Sequence, residues 1–500
     1  MWARILAAVS LAFSSLFISV LEPDTAGLKR TVVSERFGAT LRIVPDSGIC
    51  ETTPGVQTIS GYIDIGDNQN YVSKFILVNQ ATKLKLLPVV LVLCCPSECQ
   101  PSTALFLLWF NGGLGCSSMI GLFQENGPCR VDSDKKTTIL NPYSWNKVAN
   151  VLYIDQPVGA GFSHGTANTF IATGQRSSSG GCFKPSSKLF QRMRAGTPNC
   201  ICARPIFATE SYGGHYGPAF VNIFDSQNAL IRRGAIEGEI ITISALMLNN
   251  GWIDLGVQYS NYPSFANNPP GYDPIVSDAI IKKAYSFLLE DGGCMDQITA
   301  CNAGGSNKVC YNTFNYCEKN VYVPCAGDRD PYDIRSTRRD PPPPTWYIDY
   351  LRQKWVQKAI GAEVKYSDGN TSVFDKFVKG GDPTRTRLPQ LGNLADMKLK
   401  ILICMNNMNH QYGDANYICN WTGGLALSLN MNWYGRTGFG KAPFQDITIG
   451  RSGVVATVVN VDNFSFARVF NAGHEVPFYQ PVVALEFLRQ AIAMQPIHSV

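Results

Sequence analysis

Ser211 is the residue whose surroundings most clearly permit chemistry. It lies in Phe207-Ala208-Thr209-Glu210-Ser211-Tyr212-Gly213-Gly214-His215-Tyr216. Ile206 to Ala208 can end a strand, and Gly213 onward can run as a helix through Phe220 to Phe224. A sharp strand-to-helix elbow lifts a serine hydroxyl out of a sheet, where a histidine can reach it. A serine alone is a poor nucleophile and needs a base that is itself oriented by a third group. The chain offers His474 in Asn471-Ala472-Gly473-His474-Glu475-Val476-Pro477, and a candidate acid loop running from Gly413-Asp414-Ala415-Asn416 to Trp421. Serine, acid loop and histidine in that order is a known chain order for an acyl-transfer site.

Short apolar segments ending in polar or glycine-rich loops would position these groups. Phe106–Phe110 runs into Asn111-Gly112-Gly113-Leu114-Gly115, and Val151–Ile154 into Asp155-Gln156-Pro157. Ile206–Ala208, Ile240–Ala245, Leu399–Cys404 and Ala467–Phe470 have the same character. The pattern predicts a mostly parallel central sheet with helices on both faces and active loops at its carboxyl edge. Between about 257 and 388 cysteines, prolines and charges crowd together, with a helix expected over Tyr347–Ile360. This reads as a disulfide-rich insertion, or cap, between two parts of a core at 21–256 and 389–500.

Met1-Trp2-Ala3-Arg4 followed by an apolar run from Ile5 to Leu21 reads as a signal peptide over about 1–20. No later run is long and apolar enough to insert stably in a membrane. A net charge of +5 over 500 residues, with no basic run, excludes a nucleic-acid partner as the natural reading. Sixteen cysteines in a secreted chain imply disulfides. Cys294, Cys301, Cys310, Cys317 and Cys325 lack CxxC spacing and a nearby histidine, so disulfides are expected there and no metal. Asn370, Asn420 and Asn463 open glycosylation sequons, although Asn420 falls inside the acid loop.

Taken together the motifs resemble the serine carboxypeptidases, the secreted or vacuolar acid exopeptidases of the α/β-hydrolase fold, and among them the fungal group. The matching blocks are Trp109 to Pro128, Tyr143 to Ser163, Glu210 to Tyr216, Asn249 to Asp254 and Gly473 to Phe478, supported by Ile418 to Trp421 and Asp330 to Arg335. The resemblance implies Ser211 as nucleophile and His474 as general base and then acid. It implies an oxyanion hole from the N–H groups of Gly113 and Tyr212. It implies recognition of a substrate's C-terminal carboxylate by Asn111, Glu125 and Glu210 beside Trp109, with Gly112 in the same turn. Close carboxyls raise one another's pKa, so binding should be best at acid pH. Glu475 follows the histidine where many relatives carry methionine, and suggests tolerance of basic leaving residues. His215 reads as structural; His164, His410 and His498 have no motif support. No cofactor is required, and the partner is the C-terminus of a peptide or protein.

The chain also departs from the family pattern. The aspartate expected to orient the histidine is Asn416, which can accept a bond from the imidazole but carries no charge. Asp414, two residues away, could replace it only if the loop rearranged. Thr209 replaces a glycine of the elbow and Leu114 a proline of the turn. The stretches 94–104, 173–202 and 405–412 do not have family texture; they read either as loop variation or as retained intron or shifted-frame sequence, the latter favoured for the middle one. The expected activity is release of C-terminal amino acids through an acyl-enzyme. The rivals are an impaired relative that binds peptide C-termini, with Asn416 as its support, and an acyltransferase that passes the acyl group to an alcohol.

Overall fold

The computed structural model describes residues 30–34, 39–54, 56, 58–65, 72–78, 106–165, 205–236, 240–339, 341–397 and 408–500. The leader, the stretches 94–104 and 173–202, residues 405–407 and the expected strand Leu399–Cys404 lie outside them. The strands are β1 (Arg30–Ser34), β2 (Ala39–Pro45), β3 (Thr58–Ile65), β4 (Val72–Val78), β5 (Phe106–Phe110), β6 (Cys129–Val131), β7 (Thr138–Leu140), β8 (Asn150–Ile154), β9 (Ile206–Glu210), β10 (Ala245–Asn249), β11 (Met408–Gly413), β12 (Gln445–Thr448), β13 (Val454–Val461) and β14 (Phe464–Val469).

Twelve strands form one sheet in the order β1-β2-β3-β4-β8-β5-β9-β10-β11-β14-β13-β12, and β6 pairs with β7 apart from it. From β8 to β14 the neighbours run parallel, and the strands outside that centre pair antiparallel. The centre is buried on both faces, as parallel sheets are. Successive side chains point to opposite faces. Leu108, Phe110, Phe207, Leu246 and Leu248 therefore enter one core, while Leu107, Trp109, Ile206, Ala208 and Met247 enter another. The helix Gly213–Arg232 covers the first face through Tyr216, Phe220 and Phe224. The helix Pro481–Ile492 covers the second through Ala484, Leu485 and Leu488. This is the α/β-hydrolase architecture.

Two element expectations need correction, and one strand appears that was not expected. The strand expected at Ile240–Ala245 is instead Ala245–Asn249. Ile241 N–H donates to Asn228 Oδ1 at 2.9 Å and its carbonyl accepts from Asn228 Nδ2 at 2.7 Å, so both its backbone groups are taken before the ladder begins. Within the stretch that lacks family texture, Met408–Gly413 forms a strand that runs directly into the acid loop. The helix expected over Tyr347–Ile360 is two helices, Trp346–Leu351 and Lys354–Ala359, because Gln353 turns extended between them.

Between β10 and β11 the described residues form helices with no sheet strand. Cys294–Cys317 and Cys301–Cys310 bridge this helical insertion, and Cys50–Cys129 ties the N-terminal part of the chain to β6. Of the five clustered cysteines only Cys325 is left as a buried thiol.

Candidate active site

The parallel strands deliver their following loops to one edge, where β5, β9, β10, β11 and β14 end at Phe110, Glu210, Asn249, Gly413 and Val469. Ser211 follows β9 with φ +59°, an uncommon conformation for a residue with a side chain. Three bonds hold it. Ser211 N–H donates to Asn249 O at 2.9 Å, and Ser211 O accepts from Trp252 N at 2.8 Å and Gly214 N at 2.9 Å. Thr209 keeps a negative φ inside the strand and donates its hydroxyl to Gly213 O at 2.9 Å, so the replacement of glycine is accommodated.

The glycine turn after β5 lies directly against this elbow. A Cβ on Gly112 would overlap the Tyr212 amide nitrogen, so only glycine permits the approach. Gly113 turns with φ +58°. Neither the Gly113 nor the Tyr212 amide N–H has a partner among the described residues. Two unspent donors beside a serine can receive a developing oxyanion.

His474 is buried, and its Nδ1 is 3.3 Å from Asn416 Oδ1. Asn416 Nδ2 donates to Cys419 O at 2.8 Å. That bond turns the amide oxygen toward the histidine, which selects the Nδ1–H tautomer and leaves Nε2 as the basic nitrogen. Burial with no charged partner lowers the imidazole pKa to about 3. Asp414 does not substitute. Its Oδ1 accepts from Tyr272 OH at 2.9 Å and Ala472 N at 3.3 Å, and its Oδ2 is 3.9 Å from Arg468.

Trp109 Nε1 donates to Asn111 Oδ1 at 2.7 Å, and Asn111 Nδ2 donates to Glu125 Oε1 at 2.7 Å and Glu210 Oε1 at 3.1 Å. All four side chains are buried. Burial, and then the neighbouring Glu125 carboxyl, hold Glu210 well above the usual carboxylate range. Burial also raises Glu125, against the pull of its bonds to Glu210 and Asn111. Two such carboxyls in contact share a proton at acid pH.

Asn111, Gly112, Gly113, Glu210, Ser211, His474 and Glu475 line one cavity of about 360 Å³. Trp109, Glu125, Tyr212 and Asn416 stand behind its wall. Both Glu475 oxygens accept from Gln124 Nε2, at 2.9 and 2.8 Å. Several residues here were not singled out from sequence. Asn250 Nδ2 donates to the His474 carbonyl. Tyr332 O accepts from His474 N at 2.8 Å, and its ring meets the imidazole edge-on at 5.0 Å. Arg335 pairs with Asp333 at 2.6 Å and donates to Asn471 O at 2.9 Å. Gln124 and the segment 330–335 lie within or beside blocks quoted for the resemblance, which was the available signal.

Two sequons prove closed. Asn420 is 1% exposed and caps the helix Trp421–Asn430, and Asn463 is 2% exposed with Nδ2 donating to Ala395 O. A glycan fits at neither. Asn370 is half-buried, caps Thr371–Lys379, and gives its Nδ2 to Gly159 O at 3.0 Å. His215 is buried with Nδ1 2.6 Å from Trp252 O and Nε2 3.0 Å from Arg385 O. His410 falls in β11; His164 packs edge-on against Tyr62 and His498 is near the C-terminus, and neither of these two lines the cavity.

Comparison with known proteins bears on the same chemistry. Carboxypeptidase S1 of Penicillium janthinellum is 37% identical over 462 residues, covering 91% of this chain and 100% of that protein. Carboxypeptidase S1 homolog A of Arthroderma otae is 33% identical, covering 92% and 77%. The structure of a prohormone-processing carboxypeptidase from Saccharomyces cerevisiae superposes with a TM-score of 0.66 at 22% identity, over 89% of this chain and 92% of that one, and supports the fold. The profile of the serine carboxypeptidase family matches residues 50–494. A match over nearly the whole described chain, carried on an elbow serine and a buried histidine at one cavity, makes this chain a member of the serine carboxypeptidase family and a serine-type peptidase.

Proposed function

We propose that Ser211 attacks the carbonyl of a substrate's last peptide bond while His474 Nε2 takes its proton. The tetrahedral oxyanion then rests on the amides of Gly113 and Tyr212. The terminal amino acid leaves with a proton from His474, and water releases the acyl group from Ser211 by the same steps in reverse. Asn416 holds the imidazole. Trp109 and Asn111 orient the carboxyls of Glu125 and Glu210, which receive the substrate's C-terminal carboxylate. The observation that carries this reading is the buried Asn111–Glu125–Glu210 cluster on the wall shared with Ser211. A cluster that can offer a carboxyl proton is suited to a carboxylate, and repels one when that proton is lost.

The pH dependence follows. His474 stays neutral and basic down to about pH 3. The Glu125–Glu210 pair, raised by burial, loses its shared proton as pH climbs, so kcat/KM should fall toward neutral pH. The test compares a peptide with the same peptide amidated at its C-terminus. The free acid should lose kcat/KM with rising pH and the amide should not. Parallel profiles would refute the assignment. A fluorophosphonate probe should label Ser211. Asn416 favours slow turnover over loss of function, because the imidazole remains oriented; no labelling would instead favour a relative that only binds C-termini. The disulfides fit the secretory pathway, and the apolar leader supports a secreted or vacuolar destination.

A further inference from the structure

The peptide unit joining Ser211 to Tyr212 carries the Tyr212 N–H on one side and the Ser211 carbonyl on the other. A trans peptide is planar, so the two groups point in opposite directions and turn together. The carbonyl is held by Trp252 N at 2.8 Å and Gly214 N at 2.9 Å. The Tyr212 end is held from residues 382–387, between the helices Thr371–Lys379 and Leu388–Asp396. That segment belongs to no block of the sequence that suggested a site.

It meets the elbow at three points. Tyr212 OH donates to Asp382 Oδ1 at 2.5 Å, His215 Nε2 lies 3.0 Å from Arg385 O, and Arg387 N donates to Ile253 O at 3.0 Å. His215 Nδ1 lies 2.6 Å from Trp252 O, and its ring stacks on that of Tyr212 with centroids 4.6 Å apart. Both ends of the Ser211–Tyr212 peptide are therefore braced from one segment: Tyr212 directly, and Trp252 through His215 and Ile253.

Asp382 and Arg387 are both buried, and Arg387 Nη2 donates to Asp382 Oδ2 at 2.8 Å. One carboxylate oxygen faces the phenol and the other the guanidinium. Burial, and then the charge of Asp382, hold the Tyr212 phenol well above its ordinary range, so its hydroxyl keeps the proton it donates. Phe377 and Tyr216 already pack edge-on against the same ring at 6.0 and 5.2 Å. A buried ion pair adds little net stability over apolar packing. A hydroxyl bonded to a carboxylate is short and directional, and fixes where the ring points. Neither Asp382 nor Arg387 lines the cavity, so an effect on the reaction must pass through Tyr212.

We infer that Asp382, with Arg387 as its counter-charge, is a positioning residue for the oxyanion hole: it anchors the Tyr212 phenol and thereby aims the Tyr212 amide N–H. The inference rests on the proposed oxyanion role of that amide. The test compares two inhibitors. A peptide aldehyde captured by Ser211 puts its hemiacetal oxygen in the oxyanion position, whereas a product peptide relies on its free carboxylate at the Asn111–Glu125–Glu210 cluster.

Tyr212→Phe keeps the ring and deletes the hydroxyl. Its kcat should fall roughly tenfold, because misaiming a donor costs less than deleting one, which removes about 10²–10³ in rate. KM should hold. Aldehyde affinity should fall by a similar factor while the product peptide binds as before. Asp382→Asn, whose amide oxygen can still accept from Tyr212, should lose less than Asp382→Ala. Should either aspartate variant fail to fold, Tyr212→Phe decides. Unchanged kcat and aldehyde affinity in Tyr212→Phe, or an equal loss of both inhibitors, overturns the positioning role alone. An unaltered enzyme that captures no aldehyde and releases no terminal amino acid overturns the proposed function with it.

Discussion

Asn416 offers His474 an acceptor and no charge. Replacing the aspartate of a serine-protease triad by asparagine costs about 10⁴ in kcat, chiefly through the wrong tautomer. Here Cys419 O holds the amide so that the tautomer is the productive one. The remaining deficit is electrostatic. Asn416→Asp should therefore raise kcat by a smaller factor, on the order of 10², as the imidazolium gains a counter-charge. The carboxylate should also lift the His474 pKa from about 3, so that the acid limb of the pH–rate profile moves to higher pH. Its second oxygen would face Cys419 O, so the gain should come with a loss of stability. Single-turnover kinetics across pH would detect both effects; an unchanged rate and acid limb would show that Asn416 does not govern the base.

Within the insertion, Glu318 opens the helical turn after Asn307–Cys317 and meets the Tyr259 hydroxyl of the helix Leu255–Asn267. Burial pushes its carboxyl up to about 7. Tyr259, Tyr262, Tyr322 and Tyr417 lie around it, with Arg338 the nearest cationic influence on Tyr322. A group raised on folding contributes stability that is complete below its unfolded pKa and is lost as pH rises through the folded value. For Glu318 that window runs from the ordinary carboxylate range to about pH 7 and corresponds to roughly 3 kcal/mol. Glu125, Glu210 and Glu475 shift in the same direction. Glu318→Gln should thus leave a smaller fall in Tm between pH 5 and pH 8 than the unaltered protein shows. Identical falls would assign the pH sensitivity elsewhere. The cystine Cys294–Cys317 closes a loop next to this turn. Removing both cysteines should destabilise the insertion by about 3 kcal/mol, seen as faster proteolysis within it.

At the scale of the whole molecule, the segment Asp330–Arg335 joins the insertion to the two core loops that carry Asn416 and His474. Pro331 O accepts from Tyr417 N and Ile418 N, Ile334 N donates to Ala415 O, and Tyr332 O receives His474 N. Arg335 completes the clamp through Asn471 O, with Asp333 as its buried partner. Arg335→Ala would leave Asp333 without its cation. For a partly exposed arginine we expect a loss of about 2 kcal/mol, with kcat falling while KM holds, since the carboxylate cluster is untouched. Arg335→Lys should recover stability in part. Equal losses in kcat and in binding would argue against a clamp confined to the histidine and acid loops.

The local chemistry was legible in the chain. Phe106–Phe110 matches β5, the elbow falls after β9, and the short continuous apolar segments predicted a mostly parallel sheet with helices on both faces. These are properties of neighbours in sequence: a run of apolar residues that ends in a polar loop, and glycines beside a serine at a sharp turn. Spacing could not show that Asp414 is spent on Tyr272 and Arg468, or that Cys419 O orients Asn416. Nor could it show that Asn420 and Asn463 are sealed inside. Each of those depends on which strands lie adjacent and on where the insertion folds back. Such contacts join residues tens to hundreds of positions apart, and long-range packing alone decides which buried donors and acceptors meet.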